Sequence, residues 1–136
     1  MTIGVPLAKI EESEPLAVVA RDLKAVEAAV RVIGGKWKIM ILAHLHDGPT
    51  RFSELRRLMP LISPQSLTVQ LRELERDGVV DRRVYAEVPP RVEYTLTSIG
   101  MKVSPLMGIL MAWGQEVLDA QRSSAVDGTS DTAKRE

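Results

Sequence analysis

The sequence predicts a mainly α domain with one small β-hairpin, and three observations carry that prediction. Apolar residues recur at steps of three and four through residues 15–77 and again through 99–118, the spacing of helices with one buried face. Between residues 79 and 96 the period shortens to two, the alternation of a half-buried strand. Turn-forming residues punctuate the boundaries, with Gly34-Gly35, Asp47-Gly48-Pro49, Pro60, Gly78 and Pro89-Pro90 each falling where one periodic stretch gives way to another.

The elements follow in order. Residues 1–14 mix Gly, Pro and charge without apolar periodicity and are expected to form a flexible arm. From Pro15 to Ile33, Leu16, Val19, Leu23, Val26, Val30 and Ile33 form the stripe of a first helix, which Gly34 and Gly35 end. From Lys36 to His46, Trp37, Ile39, Met40, Ile41, Leu42 and Leu45 are apolar around most of the wheel, so this helix is expected at the centre of the core. A short helix over residues 52–59 places Phe52, Leu55, Leu58 and Met59 on one side. Ser63-Pro64 then starts another helix: the hydroxyl accepts from an orphan amide, and proline occupies the first helical position, where its missing N–H costs nothing. Its inward face is Leu67, Leu71 and Leu74, and Gly78 stops it.

Two alternating runs, residues 79–86 and 91–96, flank Val88-Pro89-Pro90 and read as a hairpin with a charged tip. Thr97 or Ser98 caps a last long helix carrying Ile99, Val103, Leu106, Leu110, Trp113, Val117 and Leu118, with Pro105 an irregularity near its start. From Arg122 the composition turns polar, so residues 122–136 are expected to be a disordered tail and residues 15–121 a single domain.

Composition narrows the function classes. With 136 residues and no cysteine, the chain has no disulfide framework, thiolate metal site or cysteine nucleophile. No apolar run approaches membrane-spanning length, and the first residues carry acids rather than the basic and apolar stretch of a secretory signal. A cytoplasmic location is therefore expected. The net charge of +0 conceals a pattern: residues 1–30 hold 3 basic and 5 acidic side chains, residues 31–91 hold 11 and 7, and residues 92–136 hold 4 and 6. A basic middle between acidic ends is a modest footprint for a polyanion. His44 and His46 are two apart and point to different helix faces, Gly34-Gly35-Lys36 lacks the spacing of a phosphate-binding loop, and no Ser, His and acid set suggests hydrolysis. Neither an enzyme nor a cofactor is expected.

The order of elements is that of a winged helix-turn-helix with an added helix at each end. In such a domain the proline-started helix enters the major groove, where each base pair shows a distinct pattern of donors and acceptors. Gln65, Ser66, Thr68, Val69 and Arg72 are the base-reading candidates, because amide and guanidinium groups make paired hydrogen bonds to base edges and valine can meet a thymine methyl. Arg51, Arg56, Arg57 and Ser63 are candidates for the DNA backbone, and Arg83 and Arg91 for the wing. Competing readings are plain surface pairing, of Arg57 or Arg56 with Glu54 and of Arg72 with Glu73, Glu75 or Asp77. Leu16, Val19 and Leu23 of the first helix and Leu110, Trp113 and Val117 of the last exceed what so small a core needs, and are expected at a homodimer interface. Met101, Met107 and Met111 fit the same role or line a pocket for an apolar effector.

Several segments also carry a family resemblance. Ile33-Gly34-Gly35-Lys36-Trp37, the run from Gly48 to Arg57, Ile62-Ser63-Pro64, the run from Leu71 to Gly78, Pro89-Pro90-Arg91-Val92-Glu93-Tyr94 and Leu96-Thr97 resemble the HxlR-type transcriptional regulators, a branch of the MarR-like winged helices. The resemblance spans about residues 24–118. It implies a dimeric bacterial regulator bound to double-stranded DNA at a palindromic operator, often beside the gene it controls. Many members carry a sensing cysteine where Lys24 stands here, and often a basic residue after the Ser-Pro and a polar one further along, where this chain has Gln65 and Val69. Thiol sensing is thus excluded, and operator sequence does not transfer from relatives. The alternative reading is a winged-helix module for small-molecule sensing or protein interaction with weak, nonspecific DNA affinity.

Overall fold

The computed structural model describes Leu16, Ala17, Ala20 and residues 22–135, with side chains described through residue 127. The arm expected over residues 1–14 and the interface residue Val19 lie outside the described residues. The described elements are α1 (Leu23–Ile33), α2 (Lys36–Leu45), β1 (Thr50–Arg51), α3 (Phe52–Leu58), α4 (Pro64–Arg76), β2 (Val80–Tyr85), β3 (Arg91–Leu96), α5 (Ser98–Met101) and α6 (Val103–Arg135). This is the mainly α class with a small sheet and flanking helices that the periodicity predicts.

One core organises the fold. Ile41, Leu42 and Leu45 of α2 meet Leu55 of α3, Met59 and Ile62 of the connection, Leu67, Leu71 and Leu74 of α4, Val79 just before β2, and Val80 and Tyr94 of the sheet. The apolar wheel of α2 is thus satisfied from three sides, as a central helix requires. Helix α1 buries no side chain and rests on this core at its margin through Val32.

Four boundaries differ from the expectation. The first helix is interrupted at Asp22 (φ −138°, ψ 66°), a residue whose carboxylate competes for backbone amides and so forms helix weakly. The hairpin gains a third strand, giving the order β1-β3-β2 with Thr50 opposite Tyr94 and Arg51 opposite Glu93. Two residues are too few to show an alternation, so β1 leaves no period in the sequence. The last helix is two, with Lys102 between them. Thr97 caps α5 by accepting from the Gly100 N–H at 3.0 Å, and Pro105 stands in the first turn of α6, where its missing N–H is tolerated; it could not have continued α5's ladder. Finally, α6 runs through residues 122–135, where composition suggested a disordered tail.

Two glycines are required where they stand. Gly35 has φ 86° at the junction of α1 and α2, a left-handed conformation that side chains resist. Gly100 packs its α carbon against the sheet, where an added Cβ would collide with the Val79 carbonyl oxygen and lie 3.3 Å from Leu96 Cβ.

Candidate nucleic-acid interface

Helix α4 is aimed by its own sequence. Ser63 Oγ accepts the Ser66 N–H at 3.1 Å, Pro64 takes the first helical position, and Leu67, Leu71 and Leu74 lock one face into the core. The opposite face, at alternating steps of four and three, is Gln65, Val69, Arg72 and Arg76, all exposed. Ser66 stands on one flank of this stripe and Thr68 on the other. Thr68 donates its hydroxyl hydrogen to the Pro64 carbonyl at 2.9 Å, which leaves its oxygen as an acceptor facing outward. The structure therefore brings the five base-reading candidates onto one exposed helical surface. Arg76 belongs to the same stripe and was missed, although the helical period alone places it there.

Beside α4 the sheet forms a cleft of about 390 Å³, lined by Thr68, Arg72 and Glu75 on one wall and Arg82, Val92 and Tyr94 on the other. Arg82 was also missed. It lies opposite Tyr94 in the ladder and shares a strand face with buried Val80, so strand alternation turns it toward α4. A second hollow of about 470 Å³ separates Arg51 and Ser53 from the wing tip at Glu87, Pro89 and Pro90.

The remaining arginines divide into free and engaged groups. Arg51, Arg56 and Arg82 are exposed, and Arg83 is exposed but engaged with Tyr85. Arg57 donates Nε to Glu54 Oε2 at 3.0 Å and Nη2 to Oε1, a solvent-facing fork within α3. That hydrogen bond raises the Arg57 pKa above its ordinary value and holds the Glu54 carboxyl below its own. Arg83 is raised likewise, first by hydrogen bonding with the Tyr85 hydroxyl. Ser63 caps the helix with its oxygen, which leaves its hydroxyl hydrogen available as a donor. Arg91 is folded back on the wing: it stacks 3.9 Å from the Tyr85 ring centroid and pairs with Glu87 at 3.1 Å and Glu93 at 3.4 Å. Its guanidinium braces the hairpin, and its Nε is buried without a partner.

A second brace ties α4 to the helices behind it. Lys38 Nζ lies 2.7 Å from Glu73 Oε2 and donates to the Arg31 carbonyl at 3.5 Å, while the Arg31 side chain pairs with Asp77 at 3.6 Å. Hydrogen bonding to Lys38 holds the Glu73 carboxyl below its ordinary pKa. No periodicity announces these contacts, because each joins two different helices.

Two other helices expose apolar side chains. Leu16 and α1 residues Leu23, Val26 and Val30 are exposed, as are Leu106, Ile109, Met111, Trp113 and Leu118 of α6, with Trp113 63 % exposed. Leu110 and Val117 are half-buried on α6. Between α2, α5 and α6 lies an apolar cleft of about 500 Å³, lined in part by Leu42, His46, Val103, Met107 and Met111. Among the described residues no helix is long and apolar enough to cross a membrane.

Comparison with known proteins adds a family and several relatives. The family model described as HxlR-like helix-turn-helix matches residues 32–122. The HTH-type transcriptional regulator YdeP of Bacillus subtilis (strain 168) is 51 % identical over 94 residues, covering 69 % of this chain and 73 % of that protein. An HTH-type transcriptional regulator of Methanothermobacter thermautotrophicus is 50 % identical over 102 residues, covering 75 % and 78 %. Among solved structures, the regulator YtcD superposes with a TM-score of 0.63 at 53 % identity, covering 69 % of this chain and 96 % of that one. The redox regulator HypR in its reduced form gives a TM-score of 0.65 at 47 % identity, covering 73 % and 98 %.

Proposed function

Because the chain belongs to the HxlR-like helix-turn-helix family of DNA-binding transcriptional regulators, and is not an enzyme, we propose that it acts as a homodimer on a palindromic operator without any thiol chemistry. The observation that carries this reading is the division of faces. A polar stripe of Gln65, Val69 and Arg72, flanked by Ser66 and Thr68, projects from a helix locked from behind by its leucines, while the exposed apolar side chains gather on two other helices, α1 and α6. Gln65 and Arg72 would read base edges, Val69 a thymine methyl, and Arg51, Arg56, Arg82 and Arg83 the phosphates that fix register. Arg91 would act by holding the wing. A second copy would cover α1 and α6, and the apolar cleft, open along α6 at Met107 and Met111, belongs to that face. HypR is a redox regulator, and this chain, with no cysteine, would need a noncovalent input, another modification or its own abundance in place of thiol oxidation.

Fluorescence anisotropy tests the reading, with one labelled duplex from the DNA upstream of the chain's own gene and one scrambled, each titrated at two salt concentrations. Affinity for the first that exceeds the scrambled duplex by about a thousandfold or more supports it. Weak binding to both, repeated with duplexes selected from a random pool and with little salt dependence, favours the protein-interaction module instead.

The dimer has its own test. Trp113→Asp places a charge on an exposed side chain, so the winged-helix core is expected to stay folded while sedimentation velocity shows a monomer. Losing simultaneous engagement of two half-sites lowers operator affinity by about a hundredfold or more. A Trp113→Asp protein that sediments as a dimer would remove α6 from the interface.

A further inference from the structure

We propose that Lys38, acting through Glu73, sets the angle between α1 and the DNA-reading helix α4, and so fixes the half-site spacing that a dimer accepts. The inference rests on the operator-binding dimer proposed above.

Two charges sit at the wrong ends of their own helices. Lys38 is a cation in the first turn of α2, the positive end of that helix, and Asp77 is an anion capping the C-terminus of α4, the negative end. Neither position favours its own helix, and neither charge is open to water: the Lys38 and Asp77 side chains are each 10 % exposed. Each is satisfied only by another element. The Lys38 ammonium reaches Glu73 on α4 and the Arg31 carbonyl in the last turn of α1, and Arg31 reaches back to Asp77. Asp77 Oδ2 is buried with no partner, so the geometry is imperfect as a source of stability. Each pair is only half withdrawn from water, since the Glu73 and Arg31 side chains are 34 % and 61 % exposed. Such a pair is often matched in stability by apolar residues of similar size, whereas its directional geometry specifies register.

The contacts also fall where leverage is greatest. Helix α1 buries no side chain and touches the core through Val32, so little apolar packing fixes its direction. Glu73 and Asp77 are one turn apart in the C-terminal half of α4, while the base-reading residues begin at its N-terminus. A tilt allowed at the brace moves the reading end. In a dimer joined through α1 and α6, that tilt changes the distance between two recognition helices, which must fall about one DNA turn apart, roughly 34–36 Å.

The test compares wild type with Lys38→Met, Lys38→Arg and the double variant Lys38→Met, Glu73→Leu, each first checked for melting temperature and dimerisation. The probe is the duplex that wild-type protein selects from a random pool, together with versions whose half-sites are moved apart or together by one base pair. Lys38→Met is expected to bind an isolated half-site as wild type does, yet to lose about tenfold on the selected duplex and to discriminate far less between spacings. Lys38→Arg keeps the wild-type spacing profile. The double variant regains melting temperature without regaining spacing discrimination, which a merely structural ion pair would not do. An unchanged spacing profile in Lys38→Met, or its return in the double variant along with stability, overturns the inference. A wild type that selects no duplex overturns the operator reading, and this inference with it.

Discussion

Replacing both Gln65 and Arg72 by alanine is expected to reduce the ratio of operator to random-DNA affinity by about a hundredfold or more, since each paired contact to a base edge discriminates by about 1–3 kcal/mol. Both side chains stand opposite the leucine spine of α4, so truncating them leaves the core intact. The variant should melt within about 0.5 kcal/mol per substitution of wild type, the usual range for surface positions. Random-DNA affinity should fall only by what the Arg72 charge contributed. Arg82→Ala provides the contrast: removing a cation proposed to meet phosphate is expected to weaken operator and random DNA alike and to lower the salt slope by about one. Equal losses on operator and random duplexes for the Gln65 and Arg72 variant would show that α4 positions the domain without reading bases.

The largest loss of stability is expected from Gly100→Ala. The added methyl meets the Val79 carbonyl oxygen and the Cβ of Leu96, and neither is the end of a flexible side chain that can swing aside. Helix α5 must therefore lift from the sheet. Two hydrogen bonds sit at that junction, the Thr97 N–H to the Val79 carbonyl at 3.1 Å and the Thr97 hydroxyl to the Gly78 carbonyl at 2.7 Å. Overpacking costs about 1–3 kcal/mol, and straining a hydrogen bond adds about 1 kcal/mol, so a loss near 3 kcal/mol is expected. Thermal unfolding should shift down by roughly 10 °C. An alanine variant that melts with wild type would mean that α5 is not seated on the sheet.

Legibility in the sequence followed periodicity. Helices α2, α3 and α4 could be read because their leucines and isoleucines repeat with the helical turn and are bounded by Gly, Pro or Ser-Pro. The exposed stripe of α4 followed from the same count, since a face opposite Leu67, Leu71 and Leu74 is determined once those three point inward. The Arg57 and Glu54 fork was readable as a neighbouring pair on one helix. What escaped depends on elements meeting in space. Arg91 looked like a free tip cation, yet the turn at Val88-Pro89-Pro90 brings Glu87 alongside it and the strand supplies Glu93 and Tyr85. Strand β1 is visible only through its partner β3, and the collision that makes Gly100 necessary comes from the residues before β2 and at the end of β3.

The bare apolar faces of α1 and α6 also bear on gene dosage. With those faces covered by a second copy, as proposed, assembly and DNA competence draw on one equilibrium, and the fraction of paired chains depends on how much protein a cell holds. In the dilute regime the paired form grows with the square of the total. Doubling synthesis would then raise occupancy of a low-affinity site about fourfold, while dilution at cell division would lower it just as steeply. A regulator without a thiol to oxidise would thereby count its own copies, and its threshold would be set by how well Trp113 and its neighbours fit their counterparts.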